Sequence, residues 1–516
     1  LNAESRHGPQ EAAWPAKGEE AALSAAPRPI REPSYFDAVA PLVVLAVLIA
    51  GAVMLFGLKA TDGPLQVAII LAAMFTSFIV LKNGHSWEEV AEAGRKGVSS
   101  VVGAIFILFA VGALIGTWNM AGTIPTLVYY GIQVINPDWF YLASLLVCAA
   151  IAMGIGSSWT TAGTIGVGLV GLSFLAGVSP AITAGAVISG AYVGEKLSPL
   201  SETAILAAQL TGTTIYAHLR AQVWSSLPAL LVAAIGFSIL GWADNSSGAG
   251  DSVIASELSA LSKLFNITPL TLLPLVLLIV LSIFKVPPSL AIIGSALSAA
   301  LLAPFLQSEA VLRFVNDPGL VPAAAYLKAG WQAMGTGFEA NSGIEVVDSL
   351  LSRGGMASML LTIWLILGAL VYGTLLDEFG LLLKLVTPVL MRARSTGSLI
   401  ATVVGTAFGL NIVAGDQYVA VVLPARIFRA EFNKRGLAAT NLSRAVADGG
   451  SVTSPLIPWN SCGAYMAAVL GVPTLVYLPF CLFNIASPLV TLLLGFSGFR
   501  IERVEPGVEG ADSVSP

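Results

Sequence analysis

Three stretches of this sequence place ionisable side chains inside long apolar runs. Glu195, Lys196 and Glu202 lie in Gly190-Ala-Tyr-Val-Gly-Glu-Lys-Leu-Ser-Pro-Leu-Ser-Glu-Thr. Asp416 lies in Asn411-Ile-Val-Ala-Gly-Asp-Gln-Tyr, and Asp448 in Ala447-Asp-Gly-Gly-Ser-Val-Thr-Ser-Pro-Leu-Ile-Pro-Trp-Asn. A charge in such surroundings is costly, so each is a candidate for holding an ion or a proton. Neutral oxygens accompany them: Ser198, Ser201 and Thr203 in the first stretch, Thr453, Ser454 and Asn460 in the last. Hard cations take all-oxygen shells, and this is such a set. Asp416 ranks first as the exchanging carboxylate, then Glu202 and Glu195, then Asp448. Each also has a plainer reading. Glu195 and Lys196 could pair at a helix end, Asp448 could cap a helix, and Asp416 could pair with Arg426. Enzymatic chemistry finds no support: there is no nucleophile–His pair, HExxH or P-loop.

The elements that position these groups follow from composition. The chain has 516 residues, 56% hydrophobic and 11% charged. Soluble domains carry about 25% charged residues. So few charges cannot cover a water-exposed surface, and the bilayer must be the solvent. About ten full spans are expected by the usual length criterion of roughly 20 apolar residues. The 52 Gly and 28 Pro predict interrupted helices. Pro199 and Pro455 should each end one half-helix and open another. Such breaks free carbonyls and amides for ion binding. The three cysteines have no metal spacing and read as small core residues, the net charge of -5 gives no sign of a nucleic-acid partner, and no cofactor is expected. No cleavable leader is expected ahead of the first span.

The two halves match at offsets of 256 to 259 residues. Gly112-Ala-Leu matches Gly368-Ala-Leu, Gly156-Ser-Ser-Trp matches Gly415-Asp-Gln-Tyr, and Ser198-Pro-Leu matches Ser454-Pro-Leu. Between Trp139 and Gly194 there is no charged residue; the matching stretch holds Arg426, Arg429, Lys434, Arg435 and Arg444. Basic loops stay cytoplasmic, so the asymmetry predicts copies of opposite orientation. The expected fold is an all-α polytopic membrane protein of two inverted repeats with broken helices and re-entrant hairpins. Its expected parts are a disordered polar tail over 1–34, N-terminal transmembrane helices over 35–84, a first repeat over 85–241, a connector with a helical hairpin over 242–330, a second repeat over 331–498 and a tail over 499–516.

Gly156 to Gly166, Gly194-Glu-Lys-Leu-Ser-Pro-Leu-Ser-Glu-Thr, Asp416-Gln-Tyr and Ser443 to Gly463 resemble the NhaC family of sodium/proton antiporters. The resemblance covers roughly 85–495. It implies secondary active sodium/proton exchange by alternating access, with a scaffold part, a moving part and a homodimer in the inner cell membrane. A carboxylate shielded from water can hold a proton or a sodium ion, but not both. Asp416 and Glu202 are the expected sodium ligands. That family usually has Asp where this chain has Glu195 and Glu202, so each carboxylate here reaches one methylene further. Because relatives include a malate/lactate exchanger, the alternative is sodium- or proton-coupled exchange of a small organic anion, with Lys196 as counter-charge.

Overall fold

The computed structural model describes residues 30–134, 137–244, 259, 261–341, 343, 348 and 351–504. Most of both expected tails and residues 245–258 of the connector lie outside that set. Among the described residues every regular element is a helix; one isolated bridge joins Leu437 and Arg503.

The N-terminal helices are α1 (Tyr35–Phe56), α2 (Pro64–Lys82) and α3 (Trp87–Met120). Ser34 with Asp37, and Ser86 with Glu89, build reciprocal caps at the starts of α1 and α3. Next come α4 (Thr123–Val134), α5 (Phe140–Ile155), α6 (Ser158–Thr161), α7 (Val167–Leu175), α8 (Pro180–Leu197), α9 (Glu202–Thr211) and α10 (Ile215–Asp244). A hairpin of α11 (Leu273–Ile283) and α12 (Pro288–Leu306) turns just before Pro287-Pro288 and leads to α13 (Ser308–Val315) and α14 (Pro322–Gly335). The remainder is α15 (Leu360–Glu378), α16 (Leu381–Arg392), α17 (Thr396–Val413), α18 (Gln417–Lys434), α19 (Ala439–Val446), α20 (Ser461–Leu470), α21 (Thr474–Tyr477) and α22 (Leu482–Ser497).

Among the described residues seven helices are long and apolar enough to cross a bilayer, or eight if a pair bent by 89°, Ser461–Leu470 with Thr474–Phe480, counts as one span. The chain is a multi-pass membrane protein. The expectation of about ten spans is corrected by three shorter apolar helices, Phe140–Ile155, Pro269–Ile283 and Leu482–Ser497. A helix of 16 residues reaches about 24 Å, short of the roughly 30 Å hydrocarbon core.

The repeat is visible as element order. In one half α5 ends at Gly156 (φ 82°), Ser157 caps the next helix, Gly177 (φ 65°) turns the chain into α8, and Ser198-Pro-Leu leads to the cap Ser201 and α9. In the other, α17 is followed by Gly415 (φ 65°), the cap Asp416 and α18. Gly436 (φ 63°), α19, Ser454-Pro-Leu, the cap Asn460 and α20 then follow. Left-handed φ at Gly156 and Gly415 is what lets a helix end and its successor begin after only two residues at the first break and three at the second. The halves differ where Asp448 lies. There the helix widens into a single π turn, Ala447–Ser451, before Pro455. Close approach fixes the last turn of α8. A Cβ on Gly190 would stand 2.2 Å from the Leu145 carbonyl, and one on Gly194 2.4 Å from that of Ala149. Only Gly lets α8 lie this tightly on α5, and Glu195 and Lys196 follow directly.

Candidate ion site between two helix breaks

The first break gathers donors around Glu195, which is 7% exposed. Ser157 caps α6 by accepting from the Thr160 amide at 3.2 Å. That leaves the Ser158 amide free at the new N-terminus, and it donates to Glu195 Oε2 at 3.0 Å. Thr203 Oγ1 donates to Glu195 Oε1 at 2.8 Å and meets Ser201 Oγ at 3.0 Å. The Gln417 amide, from the second half, lies beside the same carboxylate. Among the described residues no basic side chain is within ion-pair distance of Glu195.

At the second break Asp416, also 7% exposed, caps α18. Its Oδ1 accepts from the Val419 amide at 3.0 Å, and its Oδ2 from Ser461 Oγ at 3.4 Å. Among the described residues Asp416 has no ion-pair partner, so the pairing with Arg426 is not observed. Asn411 and Asn460 tie the break together. Asn460 Nδ2 donates to Asn411 Oδ1 at 3.0 Å, and Asn411 Nδ2 donates to Thr453 Oγ1 at 2.9 Å and to the Gly450 carbonyl at 2.6 Å. Gln417 donates to Ser451 Oγ at 3.0 Å and accepts from Ser454 Oγ at 3.1 Å and from the Cys462 thiol at 2.7 Å. The Trp159 and Tyr465 rings stack with centroids 4.1 Å apart, and the Tyr465 hydroxyl donates to the Trp159 carbonyl at 2.8 Å. The two breaks are thus clasped to each other.

Two nominated hydroxyls serve backbone instead. Ser198 Oγ accepts from the Leu200 amide at 3.2 Å, inside its own turn, and Thr453 Oγ1 donates to the Gly449 carbonyl at 2.5 Å. Glu202 is exposed in the first turn of α9, where the Tyr418 hydroxyl donates to it at 3.2 Å. It lies at the rim, outside the buried cluster.

Lys196 and Asp448 form a separate buried ion pair, with side chains 3% and 0% exposed. Lys196 Nζ also donates to Ser487 Oγ at 2.7 Å and Ser225 Oγ at 3.0 Å. Asp448 accepts from Ser487 at 2.8 Å and from Thr491. So Glu195 and Lys196 are no interface pair, and Asp448 is no helix cap. Successive residues on a helix point about 100° apart, which sends these two neighbours into different clusters.

Sequence reasoning passed over Ser158 and Gln417, which occupy matching first positions of α6 and α18. The repeat register was the available signal. Ser487 and Thr491, four residues apart on one face of α22, were hidden in an apolar run.

The sequence profile of the Na+/H+ antiporter family matches residues 19–242 and 190–499. The chain belongs to this family. It is therefore a transporter and not an enzyme. Among its relatives is the Na(+)/H(+) antiporter NhaC of Alkalihalophilus pseudofirmus, 34% identical over 89% of this chain and 95% of that protein. The malate-2H(+)/Na(+)-lactate antiporter of Bacillus subtilis is 33% identical over 91% of this chain and 96% of its own length. The arginine/ornithine antiporter ArcD of Halobacterium salinarum is 33% identical over 93% and 95%. Within this antiporter family, similar overall identity thus accompanies different named substrates, and the lining residues must decide between them.

Proposed function

We propose that this antiporter exchanges sodium ions for protons by alternating access, in the inner cell membrane, at the cluster of Glu195 and Asp416. One observation carries the reading. Glu195 is buried, has no cationic partner among the described residues, and is surrounded by neutral groups drawn from both halves of the chain. A carboxylate so placed must be neutralised by something that comes and goes. A proton or a sodium ion does this, and the two exclude each other, which couples the fluxes. The hydroxyls of Ser201, Thr203 and Ser461 and the Asn411–Asn460 pair supply further oxygens to a hard cation. Asp448 then acts as the fixed partner of Lys196. Glu202 with Tyr418 stands at the entrance, where it raises the local cation concentration.

The organic-anion reading needs a free counter-charge. Lys196 is already neutralised by Asp448 and two hydroxyls. Sodium/proton exchange is therefore favoured. The two halves, in this reading, run in opposite directions through the membrane, and the protein is a homodimer as the family resemblance implies. Proton flux in proteoliposomes, measured against sodium, lithium, potassium, malate, lactate and arginine, tests the substrate. Saturable proton release by sodium, with none by the organic solutes, is expected. Exchange driven by an organic ion in the absence of sodium would overturn the reading.

A further inference from the structure

A cavity of about 570 Å³ lies behind the second break, away from the carboxylates. One wall is a single face of α1, from Leu42 to Val53, continued by Gly57 just past the end of the helix. At 1.5 Å per residue that face runs about 17 Å, and with Gly57 beyond it the wall suits one extended acyl chain. The opposite wall is Ile412, Pro458 and Trp459. The lining is apolar apart from Thr61 and Thr474, whose hydroxyls already donate to the Leu58 and Gly463 carbonyls. The Trp459 indole N–H is likewise spent on the Ile412 carbonyl at 2.6 Å. Such a space offers an ion or a polar solute no partner and stays dry. Ala46 and Ala50 along it are exposed, so the cavity opens sideways to the bilayer. At its end the chain turns through Gly57–Asp62, and the exposed Lys59 sits between the lining residues Leu58 and Ala60. Asp62, also exposed, lies beside Thr61 at 3.5 Å, while Lys59 makes no ion pair among the described residues.

We propose that this cavity is a binding site for an anionic phospholipid, with one acyl chain along α1 and the headgroup phosphate at Lys59. Hydrocarbon fits the dry lining, and one cation at the mouth complements one phosphate. The bound chain packs against Trp459 and Ile412, the residues that flank Asn460 and the α17 end of the break. The lipid therefore braces the back of the ion site. This inference does not depend on which ion is exchanged.

The test is quenching of tryptophan fluorescence in vesicles of brominated-chain phosphatidylglycerol or phosphatidylcholine. The difference between wild type and Trp459→Phe isolates the Trp459 signal. That signal should be quenched with about fivefold preference for phosphatidylglycerol, the weight of one Lys at an anionic surface. Lys59→Gln, a change on an exposed turn, should abolish the preference and leave quenching. Ala50→Phe, or the milder Ala50→Leu, should fill the groove and protect Trp459. Equal quenching by both lipids in wild type would overturn the headgroup assignment. Unchanged quenching in folded Ala50→Phe and Ala50→Leu proteins would overturn the site.

Discussion

Ser157 and Asp416 hold the same post in the two halves of the chain. Each follows a left-handed glycine, and each accepts a hydrogen bond from the third amide of the helix it caps, Thr160 at 3.2 Å and Val419 at 3.0 Å. A hydroxyl suffices for the cap in one half. The carboxylate in the other therefore does more than the fold asks of it.

Asp416→Asn separates these roles, because Asn caps a helix as well as Asp does. The variant should fold with wild-type thermal stability and lose sodium-dependent proton release. Asp416→Ala should lose both transport and about 1 kcal/mol of stability. A folded Asp416→Asn protein with unchanged exchange would return Asp416 to a purely structural place.

Glu195 and Glu202 should differ in kind. Glu195→Gln removes the charge between the Ser158 amide and the Thr203 hydroxyl, so turnover should vanish at every pH. Glu202→Gln acts at the exposed rim, so it should raise the sodium KM at low ionic strength, leave the maximal rate, and lose its effect in high salt. Initial-rate measurements at two salt concentrations distinguish them. Equal effects of both substitutions would place Glu202 within the site.

For Lys196 and Asp448 the expectation concerns stability. Removing one partner of a buried ion pair costs about 3–5 kcal/mol, whereas replacing both can be nearly neutral. Lys196→Met and Asp448→Leu should each lower the melting temperature in detergent, and the double variant should recover most of the loss. Additive losses would mean that the two groups act independently.

Much of this was legible in the sequence, and the exceptions have physical causes. Asp416 stands out because the residues around it are apolar, and Pro199 and Pro455 announce the breaks because Pro lacks an amide donor. The all-helical membrane fold follows from composition. What the linear chain hides is direction and partnership. Glu195 and Lys196 look like a pair, but the helix turns them into separate clusters. The Lys196–Asp448 contact joins residues from different halves, which no local pattern predicts. Gln417 was overlooked because a neutral amide raises no alarm in a search for charge, yet it reaches Ser451, Ser454 and Cys462. The short helices escaped because apolar runs count toward span number whether or not they remain straight.

Opposed orientation of the halves is open to labelling. The three native cysteines are buried, which keeps the background low. Phe174 and Lys434 are exposed at corresponding ends of the two halves, and Phe174 avoids the left-handed backbone of Gly177. Cysteines introduced at Phe174 and Lys434 should react with an impermeant thiol reagent from opposite sides, Lys434 from the cytoplasm. Reaction of both from one side would show parallel halves.

The central claim is that one carboxylate cluster holds either sodium or protons. Its most direct measurement is the apparent sodium affinity of purified protein as a function of pH, in wild type, Glu195→Gln and Asp416→Asn. Competition predicts that the wild-type dissociation constant rises as pH falls, approaching about tenfold per pH unit for each competing proton, and that this dependence vanishes together with binding in Glu195→Gln. A sodium affinity independent of pH in the wild-type protein, or one that keeps its pH slope in both variants, would contradict the account.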